Sequence, residues 1–210
     1  MRADPAVLFR RAVMVAALAF MTTLAAPAAQ ATPAEDLIAN NIHTGLEILN
    51  NGQLSREQRR VQFEDFLLGV TDMKRVALFT LGDYGAKASA ADRDAFIVSF
   101  RRYAIAVYQS YLTKYAGQTL RVTGSHANAP GDDIVATTLA DPSRPRPLEV
   151  DFRVRSDGPK PVIVDFSVAG IWLALTERDE FTSFLKRNGG DIQALTAHLD
   201  ELRGNLAAAD

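Results

Sequence analysis

The chain has 210 residues, of which 48% are apolar and 23% charged, an ordinary balance for a globular protein. Its 23 basic and 25 acidic residues give a net charge of −2, which argues against a general nucleic-acid binder because such proteins are usually basic. It contains no cysteine, so the sequence excludes a disulfide scaffold, a cysteine nucleophile and a thiolate metal site.

The first 31 residues have the pattern of a secretory signal. Arg10 and Arg11 precede an apolar run over residues 12–26, and Ala29-Gln30-Ala31 follows as a typical cleavage site. The run of 15 residues is shorter than the roughly 20 that span a bilayer. We therefore expect a signal peptide that is cleaved after Ala31, and a periplasmic location in a bacterium.

The remaining 179 residues, 32–210, suit a single domain. The signal holds three arginines and one aspartate, so this part keeps 20 basic and 24 acidic side chains, a net charge of −4. No long Gly/Ser linker, low-complexity tract or internal repeat divides it.

Helical spacing and capping signals predict four helices in the first half of this domain. The first covers about residues 32–51, and the second begins at the capping box Ser55-Arg56-Glu57-Gln58. Thr71 or Asp72 caps a short third helix. The fourth covers about residues 90–115 and carries an apolar stripe formed by Phe96, Phe100, Ala104, Val107, Tyr108, Tyr111 and Tyr115.

After Gly117 the apolar period changes from 3.6 to 2, which is typical of strands. The four predicted strands cover residues 120–122, 134–139, 148–154 and 162–168. They follow one another with short connections, so we expect an antiparallel meander. Its apolar face needs a cover, which the front helices can provide. The predicted fold class is therefore α+β.

The sequence predicts two further helices after the sheet. The segment Gly170-Ile171-Trp172-Leu173 opens this tail, and a helix follows over about residues 176–186. The segment Asn188-Gly189-Gly190 ends that helix, and Asp191 caps the last one.

The polar residues form no recognisable catalytic or metal-binding motif. His43, His126 and His198 lie in three different predicted elements. There is no phosphate-binding glycine loop and no G-x-S-x-G nucleophile motif. We therefore expect no metal and no cofactor.

Four aspartates are the candidate catalytic carboxylates. Asp132 and Asp133 lie beside a turn, so we expect them to face solvent. Asp151 and Asp165 alternate with the apolar residues of their strands, so we expect each to face solvent or to join a surface ion pair. One alternative remains open, a small enzyme on a cone-shaped α+β fold that uses a buried Asp165 on an apolar substrate.

The aromatic residues fall on the presumed inward faces of the long helix, the last two strands and the tail. They form either an ordinary packed core or a core that leaves a cavity for an apolar ligand, and periodicity does not separate these two. A third hypothesis is an interaction module with a closed core and Trp172 in a surface patch.

The order of several segments resembles that of a known family. Residues 89–96 (SAADRDAF) are similar to a helix start S-x-E-Q-R-x-x-F, and residues 108–115 (YQSYLTKY) to a tyrosine-rich helix end. Residues 164–173 (VDFSVAGIWL) resemble a strand end V-x-D-V-x-V-E-G-V-S-L. Further matches are Arg178, Phe181 and the pair Gly189-Gly190. Residues 63–202 thus resemble the MlaC family, also called the toluene-tolerance Ttg2 family.

Three positions depart from the family pattern. Ala169 stands where the family usually has Glu, Trp172 where it usually has Ser, and Tyr84 near a usual Trp. These changes suggest a divergent branch, and a carrier related to hopanoid lipids or to another apolar ligand is an alternative.

The resemblance implies a phospholipid shuttle, not an enzyme. Its partners would be an inner-membrane MlaD-type ring of an ABC transporter and an outer-membrane lipoprotein–porin complex, and we expect a monomer. It also implies a twisted antiparallel sheet and helices that enclose an apolar pocket. The expected lining residues are Phe66, Val70, Phe100, Ala104, Tyr108, Val150, Phe152, Val164, Phe166, Trp172 and Leu173.

An apolar pocket needs an entrance, which we expect where secondary structure is interrupted. Two candidates are residues 69–72 and residues 170–173. Gly170 can turn the chain sharply. That turn would place Trp172 either at the rim of the pocket or in the core.

Overall fold

A computed structural model describes residues 31–112 and 115–209. The signal peptide expected over residues 1–31 lies outside the described residues, except for Ala31. In chain order the elements are α1 (Pro33–Asn50), α2 (Arg56–Val70), α3 (Met73–Thr80), α4 (Asp83–Lys87), α5 (Ala90–Leu112), β1 (Thr119–Ala129), β2 (Asp132–Ala140), β3 (Leu148–Arg155), β4 (Val162–Val168), β5 (Ile171–Trp172), α6 (Leu173–Arg187) and α7 (Ile192–Ala209).

Local capping chemistry starts the front helices. Thr32 and Ser55 form complete capping boxes with Glu35 and Gln58 at the starts of α1 and α2. The Asp72 side chain accepts a backbone N–H and caps α3. The predicted capping box at Ser55 and the cap at Asp72 are therefore confirmed.

The segment between α3 and α5 contains a helix that the sequence analysis did not predict. Gly82 precedes this short α4, and Gly85 lies inside it. The long α5 begins after Ser89, whose Oγ accepts a hydrogen bond from the backbone N–H of Asp92 at 3.1 Å. The predicted start of the long helix is confirmed.

The start of α6 depends on a distant residue. The Asp165 Oδ1 on β4 accepts a hydrogen bond from the backbone N–H of Ala174 at 2.8 Å. This contact caps a helix that begins at Leu173, three residues before the predicted start at Thr176. A cap that comes from another strand leaves no local signal in the sequence.

In the described part of the chain, five strands form one antiparallel sheet in the order β1-β2-β3-β4-β5. The four long strands confirm the predicted meander. β5 adds two residues that pair with the end of β4 through a turn at Ala169 and Gly170. With helices on this sheet, the fold is α+β, as predicted.

β4 contains a bulge at Val164. Arg153 pairs with Asp165, whereas the next residue of β3, Val154, pairs with Ile163. A bulge inserts one extra residue and so reverses which side chains face the core. The predicted alternation is therefore wrong at this end of β4, because Ile163, not Val164, packs on the sheet-side core.

Within the described residues the apolar side chains form two cores. The helical core lies between α3, α5, α6 and α7 and contains Met73, Ala77, Leu81, Phe96, Phe100, Phe181, Leu185, Ile192, Leu195 and Leu199. The sheet-side core lies between α1 and the sheet and contains Ala34, Ile38, Val135 and Val154, with Leu37, Ile42, Val122, Phe152 and Ile163 packed against it. A front helix therefore covers the sheet face, as predicted.

The opposite face of the sheet carries a buried ion pair. Asp132 is 1% exposed and accepts hydrogen bonds from Arg153 at 2.7 and 2.9 Å and from Asn128 at 2.9 Å, with Arg155 3.3 Å away. Hydrogen bonding to Arg153 lowers the pKa of Asp132 to about 2. The expected exposure of Asp132 is wrong because β3 supplies both arginines.

Candidate functional site

Three half-buried aromatic rings follow one another where α5 meets the sheet. The Tyr108 ring centroid on α5 lies 6.0 Å from that of Phe166 on β4. Phe166 in turn lies 6.3 Å from Phe152, its paired residue on β3. We call Tyr108, Phe166 and Phe152 the aromatic row. Its two ends pack on different cores, Tyr108 on the helical core and Phe152 on the sheet-side core.

A second aromatic pair lies on α2. The ring centroids of Phe63 and Phe66 are 5.8 Å apart. A β-carbon at Gly45 of α1 would lie 3.4 Å from the Phe66 ring, so this glycine lets the ring approach the helix backbone. Phe66 and Val70, both expected to line the pocket, are half-buried on the last turns of α2.

Two other expected lining residues belong to the helical core. Phe100 is 4% exposed, and its ring centroid lies 6.0 Å from that of Phe96 and 6.4 Å from that of Phe181. Ala104 packs against the same core. The structure therefore places these two residues among helices instead of bringing them to the aromatic row.

The sheet residues of the expected lining separate into different positions. Val150 is 6% exposed and precedes Phe152 by two residues, so both face the same side of β3. Val164 is the bulge residue. Of the expected residues, the structure thus groups Val150 and the aromatic row on one face.

Trp172 and Leu173 form the junction between β5 and α6. Trp172 is half-buried and pairs with Ser167, whose side chain points to the side of the sheet opposite Phe166. The Trp172 carbonyl accepts a hydrogen bond from the Thr176 hydroxyl at 2.8 Å. Leu173 is half-buried as the first residue of α6. Among the described residues, the ring contacts of the row do not include Trp172.

One ionisable group on α6 is absent from the predicted site residues. Glu177 is half-buried on α6, and its Oε1 accepts a hydrogen bond from the Tyr103 hydroxyl at 3.1 Å. Burial raises the pKa of Glu177 to about 7. A signal for it exists, because Glu177 lies at helical spacing between the buried Ala174 and Phe181. A carboxylate on the buried stripe of a helix is uncommon.

Asp165, the candidate of the enzyme hypothesis, is half-buried and holds two backbone N–H groups. Its Oδ1 accepts from Phe166 and from Ala174, each at 2.8 Å. Burial raises the pKa of Asp165 above its usual range, and these hydrogen bonds oppose the shift. The expected exposure of Asp165 is wrong, because the carboxylate reaches the N-terminus of α6. Its contacts are those of a helix cap.

The surface of the described residues includes two clefts. One of about 530 Å³ lies between α6 and α7 beside the stacked rings of Phe184 and His198. The other, of about 350 Å³, lies between the helix break at residues 69–72 and the β3–β4 hairpin. In the second cleft Lys160 Nζ donates a hydrogen bond to the Gly69 carbonyl at 3.2 Å. The first of the two expected entrances thus coincides with a cleft.

The described residues offer neither a metal site nor a membrane span. Among them, no three His, Asp or Glu side chains come close enough to hold a metal ion. No helix in this part of the chain is both long and apolar enough to cross a bilayer.

The fold is similar to that of a solved protein. A phospholipid-binding protein from Ralstonia solanacearum, determined in complex with a phospholipid, matches with a TM-score of 0.67 and 21% sequence identity. The match covers 83% of this chain and 96% of that one. At this identity it shows a shared fold.

A comparison with protein families gives the same placement. The family described as MlaC protein matches residues 39–201, which is more than half of the chain. The matched range contains the aromatic row, Glu177 and the whole helical core. The chain belongs to the MlaC family.

Proposed function

We propose that this protein binds a phospholipid, with the acyl chains lying along the aromatic row. The observation that carries the proposal is the half-buried row itself, which links two closed cores. Phe166, in the middle of the row, is part of neither core. Membership of the MlaC family and the fold shared with a phospholipid-binding protein support the same ligand class.

The physical requirement for such a ligand is apolar surface. Two acyl chains contain roughly thirty methylenes, each worth about 0.8 kcal/mol when removed from water, so a carrier must offset about 20 kcal/mol or more. A few hydrogen bonds do not supply this. Aromatic and aliphatic walls do, and the polar head stays in water.

A protein that binds lipid can also carry it between membranes. We propose that the protein is exported by its N-terminal signal and carries lipid as a monomer between the inner and outer membranes of the bacterial envelope. An MlaD-type ring and an outer-membrane lipoprotein–porin complex would be its exchange partners. Cell fractionation tests the location, and transfer between donor and acceptor vesicles, with and without the purified ring, tests the shuttle.

We further propose that the protein has no enzymatic activity. Asp165 is the carboxylate that an enzyme on this fold would use, and it caps α6. Asp165→Asn should therefore lower the thermal stability, and neither the wild type nor the variant should turn over a lipid. A lipid hydrolysis product that forms with the wild type and is lost in this variant would contradict the proposal.

The binding proposal is tested by extraction of the purified protein with organic solvent and mass spectrometry of the extract. We expect phospholipid to be recovered with the wild type, and uptake from liposomes after delipidation. Phe166→Ala should lower the retained lipid several-fold. The matched control is Val98→Ala, an apolar truncation at a residue that is 49% exposed on α5. Wild-type protein that carries no lipid and takes none from liposomes would overturn the proposal.

A further inference from the structure

The sheet face that carries the aromatic row has apolar side chains on all five strands at one end. Paired residues of neighbouring strands share a face, and so do residues two apart on one strand. Val168 is therefore on the same face as Phe166, and its partner Val150 on the same face as Phe152. We call the apolar residues of this face, at the end where β2 leads into β3, the apolar rim: Leu120, Leu139, Leu148, Val150, Val168 and Ile171.

The apolar rim is covered at one side and open at the other. Its first four residues are buried or half-buried. Val168 and Ile171 are 40% and 68% exposed, so the rim reaches solvent where β4 turns into β5. The edge strand β5 has only two residues. It offers few backbone groups, and pairing with the strand of another chain is therefore not favoured.

The β2–β3 connection, residues 141–147, leaves the sheet between two rim residues and carries the exposed Arg144 and Arg146. Arg144 Nε lies 3.7 Å from Oδ2 of Asp141, whose Oδ1 accepts hydrogen bonds from the backbone and the hydroxyl of Ser143 at 2.8 and 2.7 Å. Arg146 has no ion pair with a described residue. The prolines of the connection restrict its backbone and keep both arginines at this end of the sheet.

The charges around the rim favour an anionic surface. Glu149 lies between Leu148 and Val150 on β3, so its side chain faces the other side of the sheet. Residues 32–210 carry a net charge of −4, and an anionic surface therefore repels the domain as a whole. The two arginines of the connection make this end the favoured one for approach.

The size of the exposed part separates two kinds of partner. A stable interface between two copies of the chain needs about 20–30 residues a side, whereas the open part of the rim has two apolar residues. A lipid bilayer needs less, because a few apolar side chains can enter its interface and each cation near an anionic surface adds attraction.

We propose that the open side of the apolar rim and the arginines of the β2–β3 connection dock the protein on the surface of an anionic lipid bilayer. The inference rests on the proposed lipid binding. A lipid that is collected from a membrane must reach the aromatic row, and the rim continues the sheet face on which Phe152 and Phe166 lie. With two apolar side chains and two cations, the docking is weak and reversible.

The inference is tested by co-sedimentation of the protein with two kinds of vesicle, one of phosphatidylcholine alone and one of equal parts of phosphatidylcholine and phosphatidylglycerol. We expect the bound fraction to be several-fold larger with the anionic vesicles. It should fall toward the phosphatidylcholine value as salt is added, because salt screens exposed charges. Mass spectrometry of the extracted protein measures the carried lipid separately.

Two variants remove the two parts of the docking surface. Ile171→Ser removes the most exposed side chain of the rim. The double variant Arg144→Gln/Arg146→Gln removes both cations of the connection. Each should lower the fraction bound to anionic vesicles several-fold. All three residues are exposed, so we expect both variants to fold, and thermal unfolding checks this.

The matched controls lie on α5. Val98→Ser changes an apolar residue that is 49% exposed, and Arg101→Gln/Arg102→Gln removes two exposed cations. Both controls should bind anionic vesicles as the wild type does. Loss of binding in the arginine control as large as in Arg144→Gln/Arg146→Gln would overturn the inference, because the net charge of the protein would then explain the binding.

Three further results would overturn the inference. They are equal binding of the wild type to both kinds of vesicle, unchanged binding in either rim variant, and a concentration-dependent dimer that Ile171→Ser abolishes, which would assign the rim to a second copy of the chain. A wild type that carries lipid but does not bind anionic vesicles overturns the docking and leaves the proposed function intact. A wild type that neither carries lipid nor takes it from liposomes overturns the proposed function, and the inference with it.

Discussion

The helical core and the aromatic row use similar side chains to different effect. In the helical core Phe96 and Phe181 are 0% and 3% exposed, and Phe181 has ring contacts with three neighbours. In the row, Phe166 contacts two rings and remains half-buried. The first region covers its apolar surface within the chain, and the second keeps surface that a ligand can cover.

This difference separates folding from binding. A ring with neighbours on every side contributes mainly to stability, because its removal leaves a cavity. A ring that still meets water loses less when it is truncated, and its free surface is available to an apolar ligand. The two regions should therefore respond differently to the same substitution.

Truncation in the helical core should give the largest loss of stability. Phe181→Ala leaves a cavity between α5 and α6 and should cost about 3–5 kcal/mol of unfolding free energy. Phe166→Ala should cost about 1–2 kcal/mol, because that ring is already part-exposed, while it lowers lipid retention. Urea unfolding measures both. Equal losses from the two variants would remove the distinction between core and row.

The opposite face of the sheet should lose stability through charge. Asp132→Asn removes the carboxylate that Arg153 and Arg155 share and should cost about 2 kcal/mol at neutral pH. Because the folded pKa of Asp132 is about 2 against a usual 3.8, this stability is present above pH 4 and is lost as the pH falls through 2.

Urea unfolding between pH 2 and 7 checks the effect. Asp133→Asn, a half-buried neighbour on the same strand, is the control. If Asp133→Asn lowers the free energy of unfolding as much as Asp132→Asn does, the ion pairs of Asp132 are not the cause of the loss. Unchanged lipid retention in both variants would confirm that this face of the sheet contributes to folding and not to binding.

Glu177 makes the stability of the protein sensitive to pH. Its folded pKa of about 7 exceeds the usual 4.5, so the folded protein holds a proton that the unfolded chain releases. The contribution of Glu177 to stability should be greatest below pH 4.5 and should be lost as the pH rises through 7. With allowance for partial exposure to solvent, the expected decrease is about 1–2 kcal/mol.

Chemical unfolding at several pH values between 5 and 8 measures this decrease. Glu177→Gln should flatten the profile. The control Asp179→Asn, at an exposed residue of α6, should leave it as in the wild type. A wild-type stability that is constant over this range would show that Glu177 is charged in the folded protein. Glu177 would then be a half-buried carboxylate that keeps its charge in the folded protein.

The comparison also shows which features the sequence predicts. Helix starts at Ser55 and Asp72 come from side chains next to the helix, so local patterns identify them. The four long strands follow from the change of period after Gly117. These features depend on neighbours along the chain, and the resemblance of ordered motifs to the MlaC family adds the fold class.

The features that were missed depend on residues far apart in sequence. The bulge at Val164 changes the face of Ile163 without any change in composition. The burial of Asp132 requires Arg153 from the next strand, and α6 begins early because Asp165 caps it. The aromatic row itself was predicted only as part of a longer set, since stripe phase cannot tell a closed core position such as Phe100 from a part-exposed one.

The smallest expected effect concerns the turn that follows β4. Ala169 has a φ of 51° and Gly170 a φ of 81°, the conformation of a type I′ hairpin turn. A β-carbon makes the left-handed region unfavourable, and asparagine tolerates it better than alanine. Ala169→Asn should therefore raise the free energy of unfolding by about 0.5 kcal/mol, as measured by urea unfolding.

Substitutions in the same turn test whether the aromatic row is part-exposed because β4 moves. Ala169→Asn should leave lipid retention unchanged, since the turn lies beyond Phe166 on the strand. Gly170→Ala provides the opposite change and should lower stability by about 1 kcal/mol, because alanine would then occupy the left-handed region. If a firmer turn lowers lipid retention, the free surface of Phe166 depends on movement of β4. If lipid retention is unchanged while stability rises, the free surface of Phe166 does not depend on movement of β4. The aromatic row then differs from the helical core only in how completely its rings are packed.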